Sequence, residues 1–269
     1  MDIPLVEFQA VDYTYPAVNR PTIHNLNLIV PRHRRTALIG QNGCGKTTFF
    51  ALCQGLYQPQ AGQIYWQGQP SNSKTRQKIG LLFQNPEQQI IANTVIEDLA
   101  YGLVNRGLPS RQIQHLVGQC LREFQLLDLA DKPVHHLSLG QKKLVSLAGV
   151  MILQPDLLLL DEPTAYLDQL HTQQFLQALR RVYAAQTTIV LATHDLNLVY
   201  RWADWVLVMH QGQIVLAGTP EQVFRQRRLL EELNLGVPLF VELLDWIEAE
   251  SGTTQGQLQQ RIWQMFRYL

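Results

Sequence analysis

Three stretches of the chain are apolar almost throughout: 79–83 (IGLLF), 156–160 (DLLLL) and 188–193 (TIVLAT). Runs of this length without polar alternation predict strands covered on both faces, the pattern of a parallel sheet sandwiched by helices. A shorter run, 36–39 (TALI), belongs with them. Segments 26–30 (LNLIV) and 62–66 (GQIYW) predict further short strands, the first stopped by Pro31. Near the end of the apolar pattern, 205–209 and 213–216 flank HQG, which predicts an edge hairpin with a three-residue turn containing Gly212.

Between about 86 and 136 the period changes to that of helices, broken at Gly107-Leu108-Pro109 and at Lys132-Pro133. The expectation is a helical insertion within the sheet domain, not a linker-joined unit. After Gly218, Thr219 is placed as N-cap, Pro220 as the first helical residue and Gln222 as the closing partner of a capping box. Residues 226–269 carry Leu and Trp at helical spacing. The predicted organisation is one α/β domain over 1–225, a helical subdomain at about 86–153 inserted in it, and a C-terminal helical extension over 226–269.

Composition adds exclusions. Lys plus Arg and Asp plus Glu both number 22 in 269 residues. This balance carries no bias toward nucleic acid. Three cysteines, Cys44, Cys53 and Cys120, form no disulfide framework and fit a reducing compartment. No run reaches the ~18 apolar residues of a membrane span, and the first ten residues lack the pattern of a secretory signal. The expectation is a soluble chain whose membrane association comes through a partner.

Candidate chemistry begins with GQNGCGKTT at 40–48, directly after the apolar run 36–39. The spacing Gly40-x4-Gly45-Lys46-Thr47 is that of a P-loop. Glycines let backbone N–H groups wrap phosphates, Lys46 reaches the β/γ-phosphates, and the Thr47 hydroxyl suits Mg2+. Gln41, Asn42, Gly43, Cys44 and Thr48 complete the nucleotide-binding segment, with Cys44 fitting as a small residue and not as a redox group. The second element, LLLLDEPTAYLD at 157–168, brings Asp161 and Glu162 out at the carboxyl end of a buried strand. Asp161 can hold Mg2+ through water, and Glu162 can polarise the attacking water. His135-His136 lack a supporting ligand cluster, so no metal site is expected there.

Beside these two elements, FQNPEQQ (83–89), LSLGQKK (137–143), AYLD (165–168) and ATHD (192–195) resemble the Q-loop, signature, D-loop and switch-histidine segments of ATP-binding-cassette (ABC) ATPases, in order, across roughly residues 5–225. The resemblance implies a P-loop NTPase fold of the ABC nucleotide-binding type, with a parallel core sheet, antiparallel edge strands, a helical subdomain and a helical tail. It implies ATP and Mg2+ as cofactors. Ser138, Gly140 and Gln141 would face ATP held by an opposite subunit, and Asp168 would lie at that interface. His194 would hold the γ-phosphate and water, Gln84 would reach the metal or water, and Tyr15 of YTYP, in preference to Tyr13, would stack on adenine. Leu139 and Tyr166 depart from the small residues usual in those motifs, yet both sites are expected to remain competent.

A finer resemblance, carried by FQNPEQQ, 94–109, 129–143 and 195–224, is to energy-coupling-factor ATPases of the cobalt/nickel type. It implies a subunit peripheral to the cytoplasmic face of the cell membrane. A short helix of a transmembrane partner would dock in the groove near Gln84 to Gln89. The subunit would pair with itself or with a sibling ATPase, for a solute that is cobalt, nickel or a vitamin such as biotin. The rival class, a cytosolic ABC module acting on nucleic acid or ribosomes, is disfavoured because neither a long coiled coil nor a second cassette is present; direct nucleic-acid contact is not expected.

Overall fold

A computed structural model describes residues 3–16 and 19–244. Among these residues, ten strands and nine α-helices have defined bounds. In chain order they begin with β1 (Val6–Tyr13), β2 (Ile23–Val30), β3 (Arg35–Ile39) and α1 (Lys46–Gln54). Then come β4 (Ala61–Trp66), β5 (Gln69–Pro70), α2 (Ser73–Arg76) and β6 (Ile79–Leu82). Three helices follow, α3 (Val95–Asn105), α4 (Ser110–Glu123) and α5 (Leu139–Met151), then β7 (Leu157–Asp161), α6 (Gln169–Ala184) and β8 (Thr188–Ala192). After these come α7 (Leu196–Trp202), β9 (Trp205–His210), β10 (Gln213–Gly218), α8 (Pro220–Phe224) and α9 (Arg227–Glu232).

The central sheet has the order β10-β9-β3-β8-β7-β6, parallel except for β10. Its alternate residues feed two separate cores. Leu158, Leu160, Ile189 and Leu191 pack on one side with α5, α6 and the helices of the 86–153 region. Leu157, Leu159, Val190 and Leu38 pack on the other with Phe49 and Phe50 of α1 and with Phe8, Val11 and Leu26 of a second, antiparallel sheet, β2-β1-β4-β5. This two-sided burial is why β7 and β8 are apolar at consecutive positions.

The structure alters several expectations. β6 ends at Leu82 and is the edge of the central sheet, so Gly80 and Leu81 are half-buried and Phe83 is exposed. The β9–β10 connection is a two-residue turn, Gln211-Gly212, because His210 pairs with Gln213; both turn residues have positive φ, 45° and 79°. That is the twist-matched geometry of a tight hairpin. β1 carries no strict alternation because a register shift falls between Phe8 and Val11, where Ala10 has φ 48°. The capping box at Thr219 and Gln222 forms. Of the extension, α9 and a helix opening at 239–244 are described, and the rest of the 226–269 expectation lies outside the described residues.

Candidate nucleotide site

Sheet order gathers the polar motifs. β3, β8 and β7 are neighbours, with Leu38 opposite Ala192 and Ala192 opposite Asp161. The loop 40–45, Thr193-His194 and Asp161-Glu162 therefore emerge side by side at one carboxyl edge, where parallel sheets leave a crevice. Gln84 lies two residues beyond Leu82, whose register partner is Leu160 on β7.

The P-loop is shaped by glycine. Gly40, Gly43 and Gly45 have φ 156°, 76° and 116°. A Cβ at Gly40 would land on the Met209 carbonyl, so β9 forms a backbone wall against the loop. Support also comes from the hairpin turn: the Gly212 amide donates to the Cys44 carbonyl at 2.8 Å. Gly45 is the N-cap of α1 and offers no side-chain cap, which leaves first-turn N–H groups of the helix free to meet an anion. Lys46 is buried, and its ammonium donates to the carbonyls of Gly40 (2.7 Å) and Gln41 (3.0 Å). Burial raises the Cys44 thiol above its ordinary pKa, against the pull of Lys46, and keeps it protonated.

Contacts between distant segments lock the edge. Thr47 Oγ1 donates to Asp161 Oδ2 at 2.9 Å. His194 Nε2 lies 2.8 Å from Asn42 Oδ1 and 3.3 Å from Glu162 Oε1. Glu162 sits at φ 44°, its amide donating to the Ala192 carbonyl at 2.9 Å. Its Oε1 is buried, close enough to His194 for ion pairing but not aligned for a hydrogen bond. Burial raises both Asp161 and Glu162 above the ordinary carboxylate range; Thr47 holds Asp161 back, and His194 does the same for Glu162. A hydroxyl beside a carboxylate is a hard-oxygen pair suited to Mg2+. With the glycine cradle and uncapped helix, these residues fit a Mg-nucleotide. Tyr15 is half-buried, its hydroxyl 3.0 Å from Thr48 Oγ1, while Tyr13 is buried and stacked on Tyr57.

A second face carries the remaining motif residues. Ser138 caps α5 by accepting from the Gln141 amide at 3.3 Å, and Gln141 Oε1 accepts from the Ser138 amide at 3.0 Å. Gly140 is buried beneath the ring of His171, where a Cβ would not fit. Asp168 caps α6, accepting from the His171 amide at 2.8 Å; this bond, with the His171 ring, holds its carboxyl below the ordinary range. Leu139 is 37% exposed, and Tyr166, at φ 65°, is 83% exposed. Sequence reasoning passed over His171 and Lys143: His171 bonds locally to Asp168 but covers Gly140 through packing of α6 on α5, and Lys143 meets its partners only where α5 packs against the β7–α6 turn. His135 and His136 are exposed, their rings edge to face at 4.2 Å.

No helix among the described residues is long and apolar enough to cross a membrane. The family model described as ABC transporter matches residues 23–165. A relative described as a putative ABC transporter ATP-binding protein, from Nostoc sp., is 52% identical over 90% of this chain and 91% of its own. The energy-coupling factor transporter ATP-binding protein EcfA of Carboxydothermus hydrogenoformans is 35% identical over 92% of each chain. Among solved structures, cbiO1 of Clostridium perfringens, described as part of the ABC transporter complex cbiONQ, superposes with a TM-score of 0.77 at 33% identity, over 90% of this chain and 99% of that one.

Proposed function

Because this chain belongs to the ABC transporter ATP-binding family and is an ABC-type ATPase, we propose that it powers a membrane importer of the energy-coupling-factor type. The relatives named EcfA and cbiO1 support that reading. The carrying observation is the convergence of Thr47, Asp161, Glu162, His194 and Asn42 on one sheet edge. In this proposal, residues 1–225 are the ATPase domain with 86–153 as its inserted helical subdomain, and 226–269 are an extension.

The division of labour follows from each side chain's chemistry. Gly40 to Thr48 and the first turn of α1 cradle the phosphates, and Tyr15 offers a ring to adenine. Lys46 exchanges its loop carbonyls for phosphate oxygens. Thr47, Asp161 and Gln84 hold Mg2+, which when bound neutralises charge on the phosphate oxygens. Glu162, desolvated and therefore a stronger base than an exposed carboxylate, orients and deprotonates the attacking water. His194, between Asn42 and Glu162, keeps that water and the γ-phosphate in line. Ser138, Gly140, Gln141 and Asp168 serve the site of a second ATPase subunit, either a copy of this chain or a sibling. Closure over two Mg-ATP and reopening after hydrolysis would move a transmembrane partner gripped near Gln84 to Gln89, at the cytoplasmic membrane face. The solute is a trace nutrient, cobalt or nickel before a vitamin.

The deciding experiment is affinity purification of the full chain from detergent-solubilised membranes, followed by mass spectrometry. Co-elution of a multi-span subunit with a small substrate-binding membrane protein is expected, and the latter identifies the solute. Recovery with ribosomes or repair proteins alone would overturn the transport reading.

A further inference from the structure

Helix α5 carries adjacent lysines with opposite surroundings. Lys142 reaches outward to Glu87, Nζ to Oε1 2.9 Å, in the segment just after Gln84. Lys143 points inward and is 2% exposed. Its ammonium donates to the carbonyls of Pro163 at 2.7 Å and Ala165 at 2.8 Å, with a longer 3.4 Å contact to the Glu162 carbonyl. An ammonium has three donors and no acceptor, so three converging carbonyls suit it.

Those carbonyls belong to the tight turn joining β7 to α6, a turn bent by positive φ at Glu162 (44°) and at Tyr166 (65°). Neither a strand ladder nor a helix occupies residues 162–167; the Ala165 amide donates to the Glu162 carbonyl at 3.1 Å, and the inward carbonyls of Pro163 and Ala165 are met by Lys143. Burial pushes Lys143 down to about 8 despite the pull of Glu162. A position that needed only volume would be better filled by a hydrophobe.

We infer that Lys143 is a positioning residue for ATP hydrolysis: it fastens the turn bearing Glu162 to the helix that begins at Ser138, so the carboxylate, Asp168 and the α5 N-terminus move as one body. The inference rests on the role assigned to Glu162 above. Lys143 touches no reacting atom and acts only through the backbone it holds.

The test uses the full-length chain with whatever subunits co-purify, comparing Lys143→Met, Lys143→Gln and Glu162→Gln with the parent. ATP hydrolysis is measured beside binding of a fluorescent ATP analogue. Lys143→Met should lower kcat about 10-fold or more, with KM for ATP and analogue affinity changed less than about 2-fold; Lys143→Gln, which keeps amide donors, should fall between. Parental kcat in Lys143→Met would overturn the inference, as would a fall in rate matched by an equal loss of analogue-binding protein, the mark of a structural role alone. If Lys143→Met does not fold, the same split in Lys143→Gln decides. Undiminished turnover in Glu162→Gln would overturn the site assignment, and this inference with it; lost turnover there beside parental kcat in Lys143→Met removes the inference alone.

Discussion

The edge around the P-loop and the face around Ser138 are finished to different degrees. At the P-loop edge, polar groups meet partners inside the chain: Thr47 with Asp161, Lys46 with loop carbonyls, His194 with Asn42 and Glu162. At the other face the helix caps are satisfied and the His171 ring meets Asp168, while Leu139 and Tyr166 project outward. The first region is closed by sheet topology. The second leaves two large side chains exposed beside helix caps, on the surface that the proposed function assigns to another subunit. A glycine does different work in each. Gly40 is pressed against the β9 backbone, which cannot yield, and Gly140 lies beneath His171, whose ring can turn but whose Cβ moves only with α6.

The largest break in this comparison is chemical. Glu162→Gln should lower ATP turnover by about 100-fold or more while ATP binding survives, as measured by phosphate release and analogue titration. Next comes the rigid wall: Gly40→Ala should destabilise the fold by about 2–4 kcal/mol, read as a lower midpoint in denaturant unfolding. A smaller effect has the opposite sign. Because folding raises the Glu162 pKa, the folded chain holds that proton at a pH where the unfolded chain has lost it. The charge therefore costs stability above the raised pKa, and the cost fades as pH falls toward the ordinary carboxylate range. Glu162→Gln should accordingly melt higher than the parent at neutral pH, with the gap closing in acid. Gly140→Ala is expected to cost about 1–2 kcal/mol in unfolding, less than Gly40→Ala: the His171 ring can rotate, but its Cβ lies 2.8 Å from the added methyl and moves only with α6. It should nevertheless disturb the Asp168–His171 contact, so ATP-dependent self-association, followed by analytical ultracentrifugation, should weaken more than stability does.

Much of the P-loop edge was legible along the chain. Phosphate-wrapping glycines must be contiguous with the lysine and hydroxyl they serve, and buried parallel strands announce themselves as unbroken apolar runs. Edge position is not announced in that way. IGLLF at 79–83 is as apolar as its central neighbours, yet β6 lies at the sheet margin and Phe83 is exposed. The β9–β10 turn was misjudged by one residue because His210 can either pair or turn, and only the register with Gln213 decides. Lys143 stood within LSLGQKK but was assigned no role. A lysine beside a lysine suggests a solvated helix face, and its carbonyl partners become neighbours only when α5 packs against the β7–α6 turn.

By itself, the sequence determined the local chemistry: a glycine-rich loop running into a lysine and a hydroxyl, an acidic pair ending a buried strand, and a helix start marked by Thr219. Each depends on residues within a few positions of one another, where backbone geometry leaves few choices. Only the tertiary structure decided which of these groups meet. The Thr47–Asp161 bond spans 114 positions, and the His194–Asn42 contact spans 152. Such pairings depend on the β3-β8-β7 strand order, which is selected by the packing of two cores on opposite faces of one sheet and is written in no single stretch of the chain.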